Sequence, residues 1–222
     1  MQGAAAEALP PGYTYEWNDT QTEATRVTGG KVKNIGGQSW IFPSEAQCTQ
    51  CHTSVANFAL GPETAQLNSS FQYPSSGITS NQLETIDHVM MFSSPLPGAA
   101  STLPAFVDPA DVTQSLALRA RAYLHTNCSS CHQPGGPTPT DLDLRNDTAL
   151  SATRACLATP QAGDLGITNA RIIDPGSAAT SVLLARMNTR DANAMPPLGS
   201  TVVDADGVQL IRDWIDSLSG CS

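Results

Sequence analysis

Bulky aromatic side chains are scarce in this chain: Phe, Trp and Tyr together make up 5% of its 222 residues. Small domains ordinarily fill their cores with such groups, so a core built from these side chains alone is short of bulk. Positive charge is scarce too, with 11 Lys and Arg against 20 Asp and Glu and a formal net charge of −9. A field of that sign argues against nucleic acid or an anionic membrane as a partner, and favours a neutral or basic protein. No apolar run reaches the roughly 18 residues needed to cross a bilayer, so no membrane span is expected. Residues 1–11 lack both the basic and the apolar regions of an export signal. Turn chemistry, by contrast, is abundant, with 17 Gly and 16 Pro. The length allows one large domain or two small ones.

The six cysteines divide into three pairs. Two of the pairs are followed at once by histidine, giving Cys48-Thr49-Gln50-Cys51-His52 and Cys128-Ser129-Ser130-Cys131-His132. This is the attachment signature of haem c. On one helical turn, residues i and i+3 project to the same side, where two thiols can bond both vinyl groups of a porphyrin. The adjacent histidine then reaches the iron. At this composition one such pentapeptide is expected on the order of a few thousandths of a time, so two are strong evidence. The rival readings are a zinc site of four thiolates and a thioredoxin-like redox pair. Neither needs histidine at both fifth positions. Two haem c cofactors are therefore expected, and they would supply the bulk that the aromatics do not.

Haem attachment of this kind takes place outside the bacterial cytoplasm, so a periplasmic or extracellular location is expected. An export signal would then have been removed, alone or with an upstream domain, leaving Met1 as a scar. In that oxidising compartment the third pair, Cys156 and Cys221, reads as a disulfide tying the last residues to the middle of the second half.

Residues 1–39 contain few periodic apolar positions and read as an irregular or short-stranded N-terminal segment. Ser44 and Gln47 form a capping box that starts a helix just before Cys48. A helix is expected over 81–92 with Ser80 as cap, and the Pro, Gly, Ala and Ser of 96–109 read as a linker. Asp111 is expected to cap a helix leading into Cys128. A further helix is expected over 179–187, and Asp204 opens a last one with Ile211, Trp214, Ile215 and Leu218 on one stripe. The division is a segment 1–39, a first haem domain 40–109 and a second haem domain 110–222.

This order of elements in the second half resembles class I cytochromes c. The phrases Phe42-Pro43-Ser44, Leu60-Gly61-Pro62-Glu63-Thr64-Ala65-Gln66-Leu67-Asn68 and Val107-Asp108-Pro109, and the tail from Met195-Pro196-Pro197 to Trp214, are similar to the C-terminal part of a bacterial family of secreted two-haem cytochromes. Some of that family are linked with quinone-type sugar dehydrogenases. The likeness runs from about residue 13 to 221. It implies a mostly α fold of two small cytochrome c-like domains, each around one covalent haem. It also implies an electron acceptor or relay for a periplasmic dehydrogenase, one using pyrroloquinoline quinone.

The axial ligands follow from position. His52 and His132 are the proximal candidates. For the second haem, Met195 in Ala194-Met195-Pro196-Pro197 is the distal candidate, its loop stiffened by two prolines, with Met187 the rival on a helical apolar face. For the first haem the distal candidates are His88, Met91 and Met90. If His88 serves, the first haem has two His ligands and a lower potential than the second, which sets a downhill direction between them. His125, just before Cys128, reads as structural. Electron transfer is the leading function, with no catalytic residue expected. The alternative is a peroxidase-like enzyme or a haem-based sensor with an open coordination site at the first haem.

Overall fold

The computed structural model describes residues 12–222. The export-signal reading and the first part of the N-terminal segment fall on residues 1–11, outside the described residues. Helix accounts for 27% and strand for 12% of the structure, in six short helices and three two-stranded sheets. This corrects the expectation of a mostly α pair of cytochrome c-like domains. The 33 Gly and Pro punctuate the chain so often that most of it runs in turns and bends.

The segment expected to be irregular or short-stranded carries two short antiparallel hairpins. In the first, β1 (Tyr15–Trp17) pairs with β2 (Ala24–Arg26). In the second, β3 (Lys31–Ile35) pairs with β4 (Gln38–Phe42). Gly36 and Gly37 form the two-residue loop between β3 and β4 with φ of 60° and 88°, the left-handed values that match strand twist and suit glycine. Ion pairs from Lys31 and Lys33 to Glu16 link the hairpins, and Arg26 pairs with Glu45. Solvent screens pairs this exposed, and each contributes little.

Next come α1 (Glu45–Cys48), α2 (Thr64–Leu67), β5 (Ser70–Gln72) paired with β6 (Thr79–Asn81), and α3 (Gln82–His88). The side chain of Gln47 accepts a hydrogen bond from the Ser44 amide at 2.9 Å, as the capping box requires. Helix α3 is shorter than expected, because Asn81 rather than Ser80 caps it: its side chain accepts from Leu83 N at 2.9 Å. It stops at His88, and Met90 has a left-handed φ of 55°. Met90 therefore lies beyond the helix.

The stretch 96–109 is no free linker. Asn68 is buried, and its side-chain amide donates to the carbonyls of Ala100, Leu103 and Pro104 at 2.8–3.1 Å. Phe106 N donates to Ala65 O at 2.9 Å. A buried side-chain amide that satisfies three backbone carbonyls holds a segment lacking its own secondary structure.

The second half contains α4 (Leu116–Cys128), α5 (Val182–Met187) and α6 (Ala205–Ser217). Ser115, not Asp111, caps α4, accepting from Leu118 N at 3.3 Å; Asp111 closes a local turn with Thr113 instead. Asp204 caps α6, accepting from Gly207 N at 3.0 Å. Helices α4 and α6 pack against each other. Ala120 and Leu124 meet Val208, Ile211, Trp214 and Ile215 in one cluster, which Leu142, Leu144, Ile172, Ile173, Leu184 and Met187 extend. Burial of a side chain such as Ile211 or Trp214 contributes about 1.5–3 kcal/mol. At the crossing, a Cβ on Gly207 would overlap the ring and hydroxyl of Tyr123, so only glycine allows this approach. The Tyr123 hydroxyl then donates to Asp204 at 2.9 Å. Before residue 110, by contrast, the only buried apolar side chains among the described residues are Leu83 and Ala100.

Cys156 and Cys221 are joined in a disulfide. Backbone bonds from Ile173 N to Ala155 O and from Leu157 N to Ile173 O pin its inner end to the core. The bridge spans 65 residues, and the chain entropy it removes from the unfolded state corresponds to about 4 kcal/mol. Replacing both cysteines by serine is expected to lower the unfolding free energy by about 2–4 kcal/mol. The measurement is the urea midpoint at unchanged slope, and an unmoved midpoint would refute the assignment.

Candidate functional site

Helix α4 delivers the second motif. Beyond its last residue the helical turn continues, with Cys131 N and His132 N both donating to Cys128 O, at 3.2 and 2.8 Å. Cys128, Cys131 and His132 therefore share one turn, and a Cβ on Gly136 would overlap the Cys131 carbonyl. This glycine lets the chain fold back directly beneath the motif.

Cys128 and His132 line a small cavity of about 90 Å³ that opens to the surface. Its other walls are almost wholly apolar and include Leu142, Leu144, Ile172, Val182 and Leu183. Met195 and Met187 both lie on it as well, so the two thioethers weighed from sequence share one cavity with His132. The Met195 loop is fixed from behind: Met195 N donates to Arg186 O at 3.0 Å, and Arg190 donates to Met195 O at 3.4 Å. The Arg186 guanidinium donates to Asn193 O at 3.1 Å and is the one ionisable group besides His132 and Cys128 on the cavity wall. Burial lowers the pKa of His132 and pushes the Cys128 thiol up to about 12. Both groups are thereby held neutral, and a neutral imidazole keeps a nitrogen lone pair available. Nδ1 of His132 lies 3.4 Å from Thr140 Oγ1.

The first motif repeats the backbone turn, with Cys51 N and His52 N donating to Cys48 O at 3.3 and 3.0 Å. His52 is exposed, and its Nδ1 lies 2.9 Å from the carbonyl of Phe58. A carbonyl only accepts, so Nδ1 carries the proton and Nε2 is left free to bind a metal. The Cys51 thiol pKa is raised, first by burial and then by the nearby thiol of Cys131.

The three distal candidates for this motif lie on the surface. His88 is exposed at the end of α3, and Met90 and Met91 are 87% and 75% exposed. His125 is buried, with Nδ1 accepting from Asn146 N at 2.9 Å, Nε2 at 3.1 Å from Glu63 and its ring 4.5 Å from that of Phe106. Both nitrogens are engaged locally, as a packing residue requires.

Among the described residues no three His, Cys, Asp or Glu side chains form a ligand set for a bare metal ion. Iron in a porphyrin needs only two axial groups from the protein. At the second motif Cys128, an imidazole with a free nitrogen and a thioether share the apolar cavity, donor types that haem c would need. The first motif carries the same two thiols and imidazole on one turn. No protein-family model, curated protein or solved structure matches the chain. The site is accordingly read from its own chemistry.

The sequence reading missed the cavity walls. Leu142 and Leu144 reach them from a stretch without regular secondary structure, where they alternate in sequence with Asp141, Asp143 and Arg145; that period of two was a usable signal. Asp143 anchors the strip through Arg145 at 2.7 Å, and this pairing lowers its pKa to about 2. The unfolded chain, with an ordinary aspartate, takes up a proton at higher pH than the folded one. The stabilisation is thus full above the ordinary value of 3.8 and is lost as pH falls toward about 2. Asp143→Asn is expected to flatten the fall in unfolding free energy between about pH 4 and about pH 2. An acid titration of the urea midpoint checks this, and equal slopes in variant and parent would overturn it.

Proposed function

We propose that this chain is a two-haem c-type cytochrome that transfers electrons. The observation that carries the proposal is the apolar cavity at the end of α4, on which Cys128, His132 and Met195 all lie. In this reading Cys128 and Cys131 hold one haem with His132 and Met195 as its axial residues, and Cys48, Cys51 and His52 hold the other. The bound group supplies a one-electron couple at iron. The protein's part is to exclude water with Leu142, Ile172 and Val182, to keep His132 neutral, and to hold the Met195 loop through Arg186 and Arg190. A thioether ligand raises the reduction potential relative to a second imidazole. The acidic surface suits a neutral or basic redox partner, and the resemblance to secreted two-haem cytochromes supports a periplasmic dehydrogenase as electron donor.

The chain expressed with haem maturation is expected to carry two covalent haems by pyridine haemochrome assay. Met195→Ala is expected to abolish the weak near-infrared sulfur-to-iron band of the oxidised protein, while Met187→Ala keeps it. A band surviving in the first variant and lost in the second would move the ligand to Met187.

One observation favours a second reading: His88, Met90 and Met91 are all exposed. An iron bound there with an open position would suit a peroxidase-like enzyme or a gas sensor. The electron-transfer reading expects no shift of the Soret band when carbon monoxide is added to the reduced protein. A shift titrating to one molecule per chain would establish the second reading for the first haem.

A further inference from the structure

A second and larger cavity, of about 740 Å³, lies between the two halves of the chain. Small-molecule sites run to about 300–1,000 Å³. None of the four attachment cysteines, His52, His132 or the methionines lines it, so the haem reading leaves it without a role. Its walls differ in chemistry. The first half supplies a mostly apolar wall, with Ala59, Leu60, Pro62, Ala65, Pro104 and the ring of Phe106. The second half supplies only polar residues, among them Ser130, Gln133, Arg145, Asn146 and Asp147.

The polar wall is fixed in place although residues 145–148 have no regular secondary structure. Buried Arg121 donates to the carbonyls of Arg145 and Thr148, the second at 2.6 Å. The Arg145 guanidinium is gripped at two points by Asp143, at 2.9 and 2.7 Å. Asn146 N donates to Nδ1 of His125, which is only 9% exposed and whose Nε2 lies 3.1 Å from Glu63. The Gln66 side chain accepts from Glu63 N at 2.7 Å and donates to Thr126 at 3.4 Å. Glu63, Gln66 and His125 are thus spent on joining the walls. Ser130 and Asn146, by contrast, hydrogen bond to other described residues only through backbone atoms, and Asp147 is exposed. Their side chains are available to a ligand.

Such a ligand has one apolar face and one hydrogen-bonding edge. Arg145 only donates, Asp147 only accepts, and the Asn146 amide and Ser130 hydroxyl do both. An edge of hydroxyl groups answers all of them, whereas a ring bearing carbonyls alone leaves Asp147 unpaired. Arg121 and Arg145 stand against Asp143 and Asp147, so the second-half wall has no net charge to draw an ion of either sign. We infer that this cavity binds a neutral polyhydroxy compound of sugar size, its C–H face on Leu60, Pro62 and Phe106 and its hydroxyls on Ser130, Asn146 and Asp147. The ligand touches both halves at once and adds to the contacts that join them.

The test titrates the full chain, expressed with haem maturation, with D-glucose, D-galactose, D-xylose and myo-inositol, followed by saturation-transfer nuclear magnetic resonance. At least one is expected to bind saturably. Asp147→Ala is expected to weaken that binding about tenfold, as the loss of one hydrogen bond to a charged group does, and Asn146→Ala by less. Both variants are expected to keep the parent's unfolding midpoint, because neither side chain hydrogen bonds within the fold. Benzoate and benzamidine, an anion and a cation with an apolar face, serve as comparators. No binding by any of the four polyols, equal binding in parent and both variants, or tighter binding of either ion would overturn the inference. The site uses no residue that attaches or ligates haem, so the haem count is a separate result and neither proposal falls with the other.

Discussion

The close crossing of α4 and α6 is the constraint on which the rest of the structure depends. It brings Ala120 and Leu124 against Ile211, Trp214 and Ile215, and it is possible only because Gly207 leaves room for the Tyr123 ring. Helix α4 then does three things from one fixed position. One face closes the core, its last residue places Cys128 on the cavity wall, and its final turn receives Glu63 and Gln66 from the first half through His125 and Thr126. Whatever loosened the crossing would disturb the cavity and the joining of the two halves together.

The two halves are stabilised by different physics. The second has a continuous apolar cluster, two capped helices of 13 residues and a disulfide that ties the end of the chain to its middle. The first buries almost no apolar side chains of its own and leaves Trp17, Trp40, Phe58 and Phe71 exposed. It is ordered by polar devices: the Asn68 amide gathering three carbonyls, short hairpins, and surface ion pairs that contribute little individually. Much of its position comes from contact with the second half. Thr201 beyond the Met195 loop donates to Ser39 O in β4 at 2.6 Å, so even the N-terminal hairpin is tied to the chain around the cavity.

Where a local signal was strong, the sequence was legible. The Asp204 cap and the stripe of Ile211, Trp214 and Ile215 lie where their spacing put them, because a long amphipathic helix is decided within its own few turns. The Ser44 and Gln47 cap was equally local. Reading failed where neighbouring cues competed. Ser80 and Asn81 are both good caps, and Asp111 and Ser115 likewise; geometry chose the second in each pair. The run 96–109 looked like a linker because its composition says nothing of Asn68, a distant side chain that holds it. The overall class was misjudged because two strong helical motifs were allowed to stand for a chain that is mostly turns.

By itself the sequence determined the chemistry available: two C-x-x-C-H turns, a third cysteine pair, few histidines, one methionine stiffened by prolines and a negative surface. Those are properties of neighbouring residues and of totals, which covalent order and composition settle. Only the tertiary structure decided which of these groups share a space. It set Met195 and Met187 on one cavity with His132, left His88, Met90 and Met91 on the surface, and brought Glu63 and Gln66 of the first half against His125 and Thr126 on α4. The reason is that such meetings are the sum of many weak contacts between segments far apart in the chain, and no local pattern encodes that sum.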